Sequence, residues 1–194
     1  MYNFDYERDN IVNIQTLLLI SHYYPSMIDQ KHTWHWVNQA VTLAQGVGLH
    51  RNPGNLPQRH MWARIWWCCV LRDRLTGLGT GRPLHINSLD CDVPMLTSED
   101  LRETGDREQE LSIKQLFIEL VKLCQYMEGV ISLRYSTGLY TQVTPDQLKV
   151  CDEALQLWLH NFSAVAEAQE ISLFLEDGPN IVALYQAIIR QLYK

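Results

Sequence analysis

The most constraining feature of the sequence is an unbroken apolar run, Ile65 to Leu71, that passes directly into a stretch rich in glycine, proline and charge. The run predicts a helix with apolar residues around most of its circumference, and such a helix is buried. The residues that follow, as far as Pro94, are typical of a loop with fixed turns. We therefore predict a buried central helix over residues 57–78 and a long ordered loop over residues 79–96.

Apolar residues recur at helical spacing in five other stretches, and none shows the alternation typical of a strand. With 194 residues, 46% of them hydrophobic, the chain is long enough to bury a sizeable core. We predict an all-α fold, an irregular bundle of about six helices, in a single domain over residues 1–194. Besides the central helix, the predicted helices are 10–23 (or 24), 29–46, 109–133, 144–160 and 180–193.

Residues 97–110 are strongly charged and carry little apolar content, which predicts a solvated and mobile loop. Both ends of the chain look cut. The last helical pattern reaches Lys194 without a terminating signal, and the wide apolar surface of the central helix needs more to pack against. We therefore expect the chain to be a truncated piece of a longer protein.

The charge pattern argues against direct contact with DNA. The formal net charge is −6 and the arginines are scattered, whereas phosphate-binding domains carry a basic patch or stripe. The longest apolar run is far shorter than the roughly 20 residues that span a bilayer, so no membrane association is predicted.

The chain contains five cysteines, and none of them forms a C-x-x-C pair. This pattern argues against a disulfide framework and against a zinc site, and it favours a reducing compartment. His32 and His35 lie three residues apart but lack a third ligand. We predict no metal, no cofactor and no catalytic residue in this chain.

Several short motifs occur in a fixed order along the first half of the chain. Gly-Leu-His-Arg (48–51) is followed by Arg-x-Trp-Trp (64–67), Gly-Arg-Pro (81–83) and Asp-Cys-Asp-Val-Pro (90–94). Together they resemble the fungal-specific transcription factor domain, the middle homology region of fungal zinc-cluster regulators. Within that family the sequence is similar to regulators of the cutinase transcription factor type. The signature residues are Arg64, Trp66, Trp67, Gly81, Pro83, Asp90, Asp92 and Pro94.

The resemblance implies a nuclear domain, without enzymatic activity, that controls transcription by RNA polymerase II through inhibition, dimerisation or effector sensing. It implies protein partners or self-association, and a small-molecule effector. It also implies that DNA is bound only through a separate six-cysteine, two-zinc module of a full-length parent. No such cysteine cluster occurs in this chain, so an adaptor or degenerate paralogue without DNA binding is an alternative.

Asp73 continues the buried face of the central helix, and a buried carboxylate needs a partner. Arg74, Arg82 and the backbone N–H groups of the following loop are available. We therefore predict one of two roles for Asp73, Arg74 and Arg82. They form either a site for an anion or effector or, as the favoured alternative, a structural clamp that holds the loop on the helix. Asp90 and Asp92 are interpreted as turn-forming aspartates, since calcium needs about six to eight oxygen ligands.

Two less favoured functions remain open from the residues alone. A helical enzyme would use His50, Asp90 or Cys91, although no aligned nucleophile, base and oxyanion pocket is visible in the sequence. A small-molecule-binding domain would line a pocket between helices with tryptophans, which at helical spacing are more often core residues. Those tryptophans are Trp34, Trp62, Trp66, Trp67 and Trp158.

Overall fold

The computed structural model describes residues 7–23, 31–135 and 144–173. These residues form six α-helices and no β-strand, which confirms the predicted all-α class. The chain divides into two compact units, Met1–Leu96 and Thr97–Lys194. The helices are α1 (Asn10–Ile20), α2 (Lys31–Gly46), α3 (Arg59–Thr80), α4 (Ser98–Leu101), α5 (Glu108–Tyr135) and α6 (Pro145–Leu173).

In the first unit, α3 packs against both α1 and α2, and α2 also packs against α1. The apolar run predicted to be buried forms the middle of α3, where Trp66 is 1% exposed and Cys69 is fully buried. Ile14 and Leu17 of α1 and Val37 of α2 complete this core. The helix carries its buried side as far as its last turns, and that is where charged residues enter the core.

Arg72 connects α3 to the end of α1. Its side chain is 7% exposed, its Nε donates to Ser21 Oγ at 2.9 Å, and its Nη2 donates to the backbone carbonyl of Ser21. The last carbonyls of a helix have no partner within the helix. A buried arginine therefore supplies donors at the C-terminal end of α1, across 51 residues of sequence.

The second unit is built on α5, which packs against α4 and α6. Trp158 and Phe162 of α6 are buried and stack with their ring centroids 5.0 Å apart. The indole N–H of Trp158 donates to the carbonyl oxygen of Glu119 at 3.2 Å, so its polar atom is satisfied inside the core. A Cβ added to Gly129 of α5 would lie 3.4 Å from the sulfur of Cys151, which indicates close contact between these helices.

The helix boundaries differ from the predicted ones at several points. The first helix ends at Ile20, before the predicted Tyr23, and a hydrogen-bonded turn follows. The last described helix runs to Leu173, well beyond the predicted residue 160. Near the start of this helix, Leu148 is 57% exposed. The helix predicted over residues 180–193 lies outside the described residues.

The charged segment 97–110 contains local order. It forms α4 and the start of α5, and the carboxylate of Asp100 accepts hydrogen bonds from the N–H and hydroxyl of Thr97. Asp106 pairs with Lys114 at 2.6 Å. Its predicted mobility stays a prediction, as does the single-domain organisation. Over the described ranges, no helix is long and apolar enough to cross a membrane.

Candidate functional site

Two oppositely charged side chains lie in the core at the last turns of α3. Asp73 is 1% exposed and Arg74 is fully buried. Arg74 Nη1 donates to Asp73 Oδ2 at 2.7 Å, within the range of a charge-assisted hydrogen bond. The desolvation of such a pair is balanced only if further hydrogen bonds satisfy the remaining polar atoms.

Those further hydrogen bonds come from the loop that follows the helix. Asp73 Oδ1 accepts from the backbone N–H of His85 at 3.0 Å and lies 2.9 Å from His85 Nδ1. Asp73 Oδ2 accepts from the N–H of Ile86 at 3.0 Å. Arg74 Nη1 donates to the carbonyl of Ile86, and Nη2 donates to Ser88 Oγ, each at 3.1 Å. We call Asp73, Arg74, His85, Ile86 and Ser88 the Asp73 cluster.

Arg82 was predicted to be a partner of the Asp73 carboxylate, but its guanidinium group lies over the ring of Trp34 in α2. Its guanidinium carbon lies 5.4 Å from the centroid of the Trp34 ring, a cation–π geometry. The Trp34 indole N–H donates to the carbonyl of Pro83 at 3.3 Å, and the His85 ring lies 4.3 Å from Trp34, centroid to centroid. The structure thus brings Asp73 and Arg74 together. Arg82 instead contacts α2, by way of the Trp34 side chain.

The turn between α3 and the loop depends on glycine at two positions. Gly81 has φ 63°, a left-handed conformation that closes the helix, and the N–H groups of Gly81 and Arg82 both donate to the carbonyl of Gly77. A Cβ on Gly77 would lie 2.6 Å from Leu84 Cδ2 and 3.2 Å from the Arg82 carbonyl oxygen. Gly77 therefore lets the loop fold back against the helix.

The far end of the loop is attached through Asp92 and Pro94. The carboxylate of Asp92 accepts from the N–H of Asn52 at 2.8 Å and lies 3.3 Å from Arg51 Nε. The Asp92 N–H donates to the carbonyl of His50 at 3.2 Å. The indole N–H of Trp67 donates to the carbonyl of Pro94 at 2.9 Å. The signature residues Asp92 and Pro94 are thus hydrogen-bonded to the segment of the Gly-Leu-His-Arg motif and to α3, respectively.

The middle of the loop is a short 3₁₀ helix, Ser88–Asp90, stabilised by its own side chains. Asn87 accepts from the N–H of Leu89 at 3.1 Å through its side-chain oxygen, and its Nδ2 donates to Asp90 Oδ2 at 3.0 Å. The thiol of Cys91 donates to the carbonyl of Asn87 at 3.3 Å. At the apex of this turn, Leu89 is 93% exposed.

The remaining signature residues lie on the buried side of α3. Trp66 and Trp67 are buried, and the rings of Trp66 and His50 are 6.1 Å apart. Arg64 is half-buried one turn before Cys68. Burial raises the pKa of the Cys68 thiol, an effect that the charge of Arg64 opposes. Trp66 and Trp67 therefore form core, as their helical spacing predicted, whereas Trp34 and Trp62 are half-buried.

Two observations on the described residues bear on metal binding and on thiol reactivity. Burial strongly raises the pKa of the Cys69 thiol, and the neighbouring Cys68 and Asp73 raise it further. A thiol needs its thiolate form to act as a nucleophile or metal ligand. Among the described residues, no group of three His, Cys, Asp or Glu side chains is placed to hold a metal ion. The zinc that the resemblance implies therefore does not fit this part of the chain.

The sequence predicts loop backbone N–H groups as partners of Asp73, but it does not indicate the side chains of His85, Ser88 and Trp34 at this site. A polar residue directly after Gly-Arg-Pro-Leu is a weak signal for His85. Trp34 lies 49 residues before Pro83 and had been interpreted only as a core or pocket tryptophan. Of the three residues considered for catalysis, Asp90 and Cys91 share the Asn87 turn, and His50 contacts Asp92 and Trp66.

The described residues form an all-helical fold with an apolar core, in which the buried Asp73 and Arg74 are hydrogen-bonded to the following loop. In comparison with known families, the family described as "Fungal specific transcription factor domain" matches residues 1–160. The chain belongs to this family.

The relatives it resembles carry the names of transcription regulators. It is 30% identical to cutinase transcription factor 1 beta of Fusarium vanettenii, over 100% of the chain and 26% of that protein. It is 37% identical to cutinase transcription factor 1 alpha of the same organism, over 83% of the chain and 19% of the relative. Identity to the acetamidase regulatory protein of Aspergillus oryzae is 32%, over 78% of the chain and 20% of the relative.

The chain therefore spans about a quarter or less of the length of these relatives. No solved structure matches it. The similarity to regulators of the cutinase type that the motifs indicated is confirmed by the first two relatives.

Proposed function

We propose that this chain is the regulatory middle-homology domain of a fungal zinc-cluster transcription factor, and that the loop of residues 81–96 is a rigid part of its regulatory surface. The observation that carries the proposal is the buried Asp73 carboxylate. It accepts hydrogen bonds from two successive backbone N–H groups of this loop, in a chain whose family is defined by transcription factors. A loop held in this way keeps one conformation without a bound ligand.

Rigidity matters because ordering a loop on binding costs conformational entropy. The Asp73 cluster removes that cost in advance and presents Leu89 and Asp90 to solvent in a fixed geometry. We propose that contacts at this surface bring the parent regulator into an inhibited, dimeric or effector-bound state. In this proposal the Asp73 cluster is a structural clamp and Arg82 positions the loop on α2.

The proposed role contains no catalytic step. Cys69 and Cys124 are buried, Cys68 and Cys151 are half-buried, and the thiol of Cys91 is hydrogen-bonded within the loop. Two charged residues of the loop, Arg82 and Asp92, contact residues outside it. We propose that DNA is bound by a separate zinc-containing module of the parent and that the protein acts in the nucleus on transcription by RNA polymerase II. The net charge of −6 supports a domain that does not itself contact phosphates.

A reporter assay tests this proposal. The full chain is placed between a heterologous DNA-binding module and an activation module in yeast, and the output is compared with a fusion that lacks the chain. We expect the chain to change the output and Leu89→Ser to reduce that change while leaving the melting temperature unaltered, since Leu89 is 93% exposed. Equal output with and without the chain refutes the regulatory role. An unaltered response in Leu89→Ser refutes the part assigned to the loop.

A further inference from the structure

Thr97 is an exposed threonine in a segment without regular secondary structure. It is the first residue of the second unit and directly precedes α4. Residues 91–97 form neither helix nor strand, and the backbone of Thr97 is extended, with φ −111° and ψ 166°. Peptide segments are commonly recognised in extended form, through their main chain and their alternate side chains. Thr97 therefore presents its side chain in a conformation that the cleft of a modifying enzyme accepts.

The sequence around Thr97 carries negative formal charge. Glu99 and Asp100 follow it at the second and third positions, and no Lys or Arg occurs between Arg82 and Arg102. Protein kinases select substrates by charge pattern, and a kinase with a basic cleft favours a hydroxyl that is followed by carboxylates. We propose that Thr97 is a phosphorylation site for such an acid-directed serine/threonine kinase, which recognises the Asp100 carboxylate.

The Thr97 hydroxyl already contacts the carboxylate that the kinase recognises. Its Oγ1 donates to Asp100 Oδ2 at 2.7 Å, and the Thr97 backbone N–H donates to the same oxygen at 2.8 Å. This contact lies at the start of a helix of only four residues, and an isolated helix of that length is marginal in water. The segment therefore opens at little cost, and both side chains then become available to the kinase.

The reaction transfers the γ-phosphoryl group of ATP to Thr97. A bond forms between Oγ1 and the γ-phosphorus, the bond from that phosphorus to the β,γ-bridging oxygen breaks, and ADP leaves. The hydroxyl proton passes to the catalytic base of the kinase. The product carries a charge of about −1.5 to −2 at pH 7, and its Oγ1 has no proton left to donate.

Phosphorylation breaks the contact between Thr97 and Asp100, because the phosphate lies beside a carboxylate and the two negative groups repel each other. A phosphate can cap the N-terminus of a longer helix, but α4 has four residues and its first turn already contains Glu99 and Asp100. We therefore expect α4 to unwind from α5 and Leu101, which is 7% exposed, to become accessible. The inference rests on the proposed function only in giving this change a regulatory use, and it does not require the loop of residues 81–96.

A kinase assay on the full chain tests the proposal, and Thr144 is the matched control. Thr144 is exposed and directly precedes α6, but the residue three positions later is Gln147. The side-chain oxygen of Gln147 accepts from the Thr144 N–H at 2.9 Å, so the local contact is similar and the negative charge is missing. The chain is incubated with ATP and a purified acid-directed kinase, with casein as a substrate that shows the kinase to be active, and mass spectrometry locates the phosphate.

We expect phosphate on Thr97 and none on Thr144. The variant Asp100→Asn keeps an acceptor oxygen and removes the charge, so we expect its Thr97 to be modified at least about tenfold more slowly. Three results overturn the proposal: no phosphate on Thr97 while casein is phosphorylated, equal modification of the two threonines, or equal rates for wild type and Asp100→Asn.

Hydrogen exchange tests the effect on α4 separately. The amides of α4 and of the first turn of α5 are compared in the full chain before and after treatment with the kinase, and Thr97→Ala is the control that accepts no phosphate at this position. We expect phosphorylation to reduce their protection at least about threefold and the control to show no change. Equal protection before and after phosphorylation overturns the unwinding of α4. Neither assay involves a DNA-binding module or Leu89, so their failure and the failure of the reporter assay are distinguishable.

Discussion

The substitution Asp73→Asn tests the energetics of the Asp73 cluster directly, because it keeps the shape of the side chain and removes its charge. The carboxylate now faces four donors, from Arg74, from the backbone of His85 and Ile86, and from the His85 ring. An asparagine amide offers one oxygen, with two lone pairs, and adds a donor of its own. At least two of the four donors therefore lose their acceptor.

The size of the effect follows from burial. Removing one partner of a buried ion pair costs about 3–5 kcal/mol, since the other charge stays in the core, and Arg74 is fully buried. The stability of a whole domain is only about 5–15 kcal/mol. For a chain of this length each kcal/mol moves Tm by about 2–4 °C, so we expect a decrease of about 10 °C.

Urea unfolding followed by circular dichroism measures this loss, and Asp92→Asn is the matched control. Asp92 is exposed, lies in the same loop, and pairs with the exposed Arg51. An exposed pair contributes about 0–1 kcal/mol. If Asp73→Asn costs less than about 0.5 kcal/mol, or no more than Asp92→Asn, burial does not determine the contribution of these carboxylates and the reasoning fails.

Three further changes test other contacts. Gly77→Ala should destabilise the chain by about 1–3 kcal/mol through overpacking against Leu84, whereas Gly79→Ala, with nothing within 4 Å, should be neutral or stabilising in thermal melts. Trp158→Phe should cost at least about 1 kcal/mol in urea unfolding, because it removes one buried hydrogen bond and replaces the two-ring indole by a smaller ring that leaves part of the core unfilled. A hydrogen bond from Lys114 lowers the pKa of Asp106. The stability from this contact is therefore present above the usual pKa of Asp and is lost as the pH falls through the lowered value. The amides at the start of α5 should then lose protection from exchange, relative to their intrinsic exchange rate at that pH.

For each of these three changes, one experimental outcome would contradict the physical reason given for it. Equal melting temperatures for Gly77→Ala and Gly79→Ala would show that the Leu84 side chain moves aside without a loss of stability. A Trp158→Phe variant as stable as wild type would mean that the indole hydrogen bond contributes nothing net. If Lys114→Met leaves the acid dependence of amide exchange in the first turn of α5 unchanged, Lys114 is not the cause of that dependence.

The parts of the fold that depend on local pattern were predictable from the sequence. The apolar run of α3 and its burial follow from residues a few positions apart, and so does the position of Asp73 on the buried side. The predicted use of loop N–H groups was also available from the sequence, because a buried carboxylate needs donors and a loop follows directly. Helix ends were less predictable, since caps and neighbouring elements decide them.

The contacts that required the fold itself were not predictable. Arg82 and Arg74 are both arginines near Asp73 in sequence, and only the fold shows that Arg82 lies over Trp34 of α2. The role of His85 depends on a loop that folds back by way of Gly77, a tertiary contact without periodicity. Similarly, Leu148 is an apolar residue of α6, and only the fold shows that more than half of it is exposed.

The contact between Arg72 and Ser21 has a consequence for fragments of this chain. A piece that begins after Ser21 would keep the whole of α2 and α3, yet it would lose the two hydrogen bonds that this nearly buried guanidinium makes to the end of α1. The arginine would then keep its positive charge in a core from which these two hydrogen bonds had been removed. We expect limited proteolysis to yield a resistant fragment that retains α1, so the smallest autonomous folding unit of this half of the chain includes the first helix.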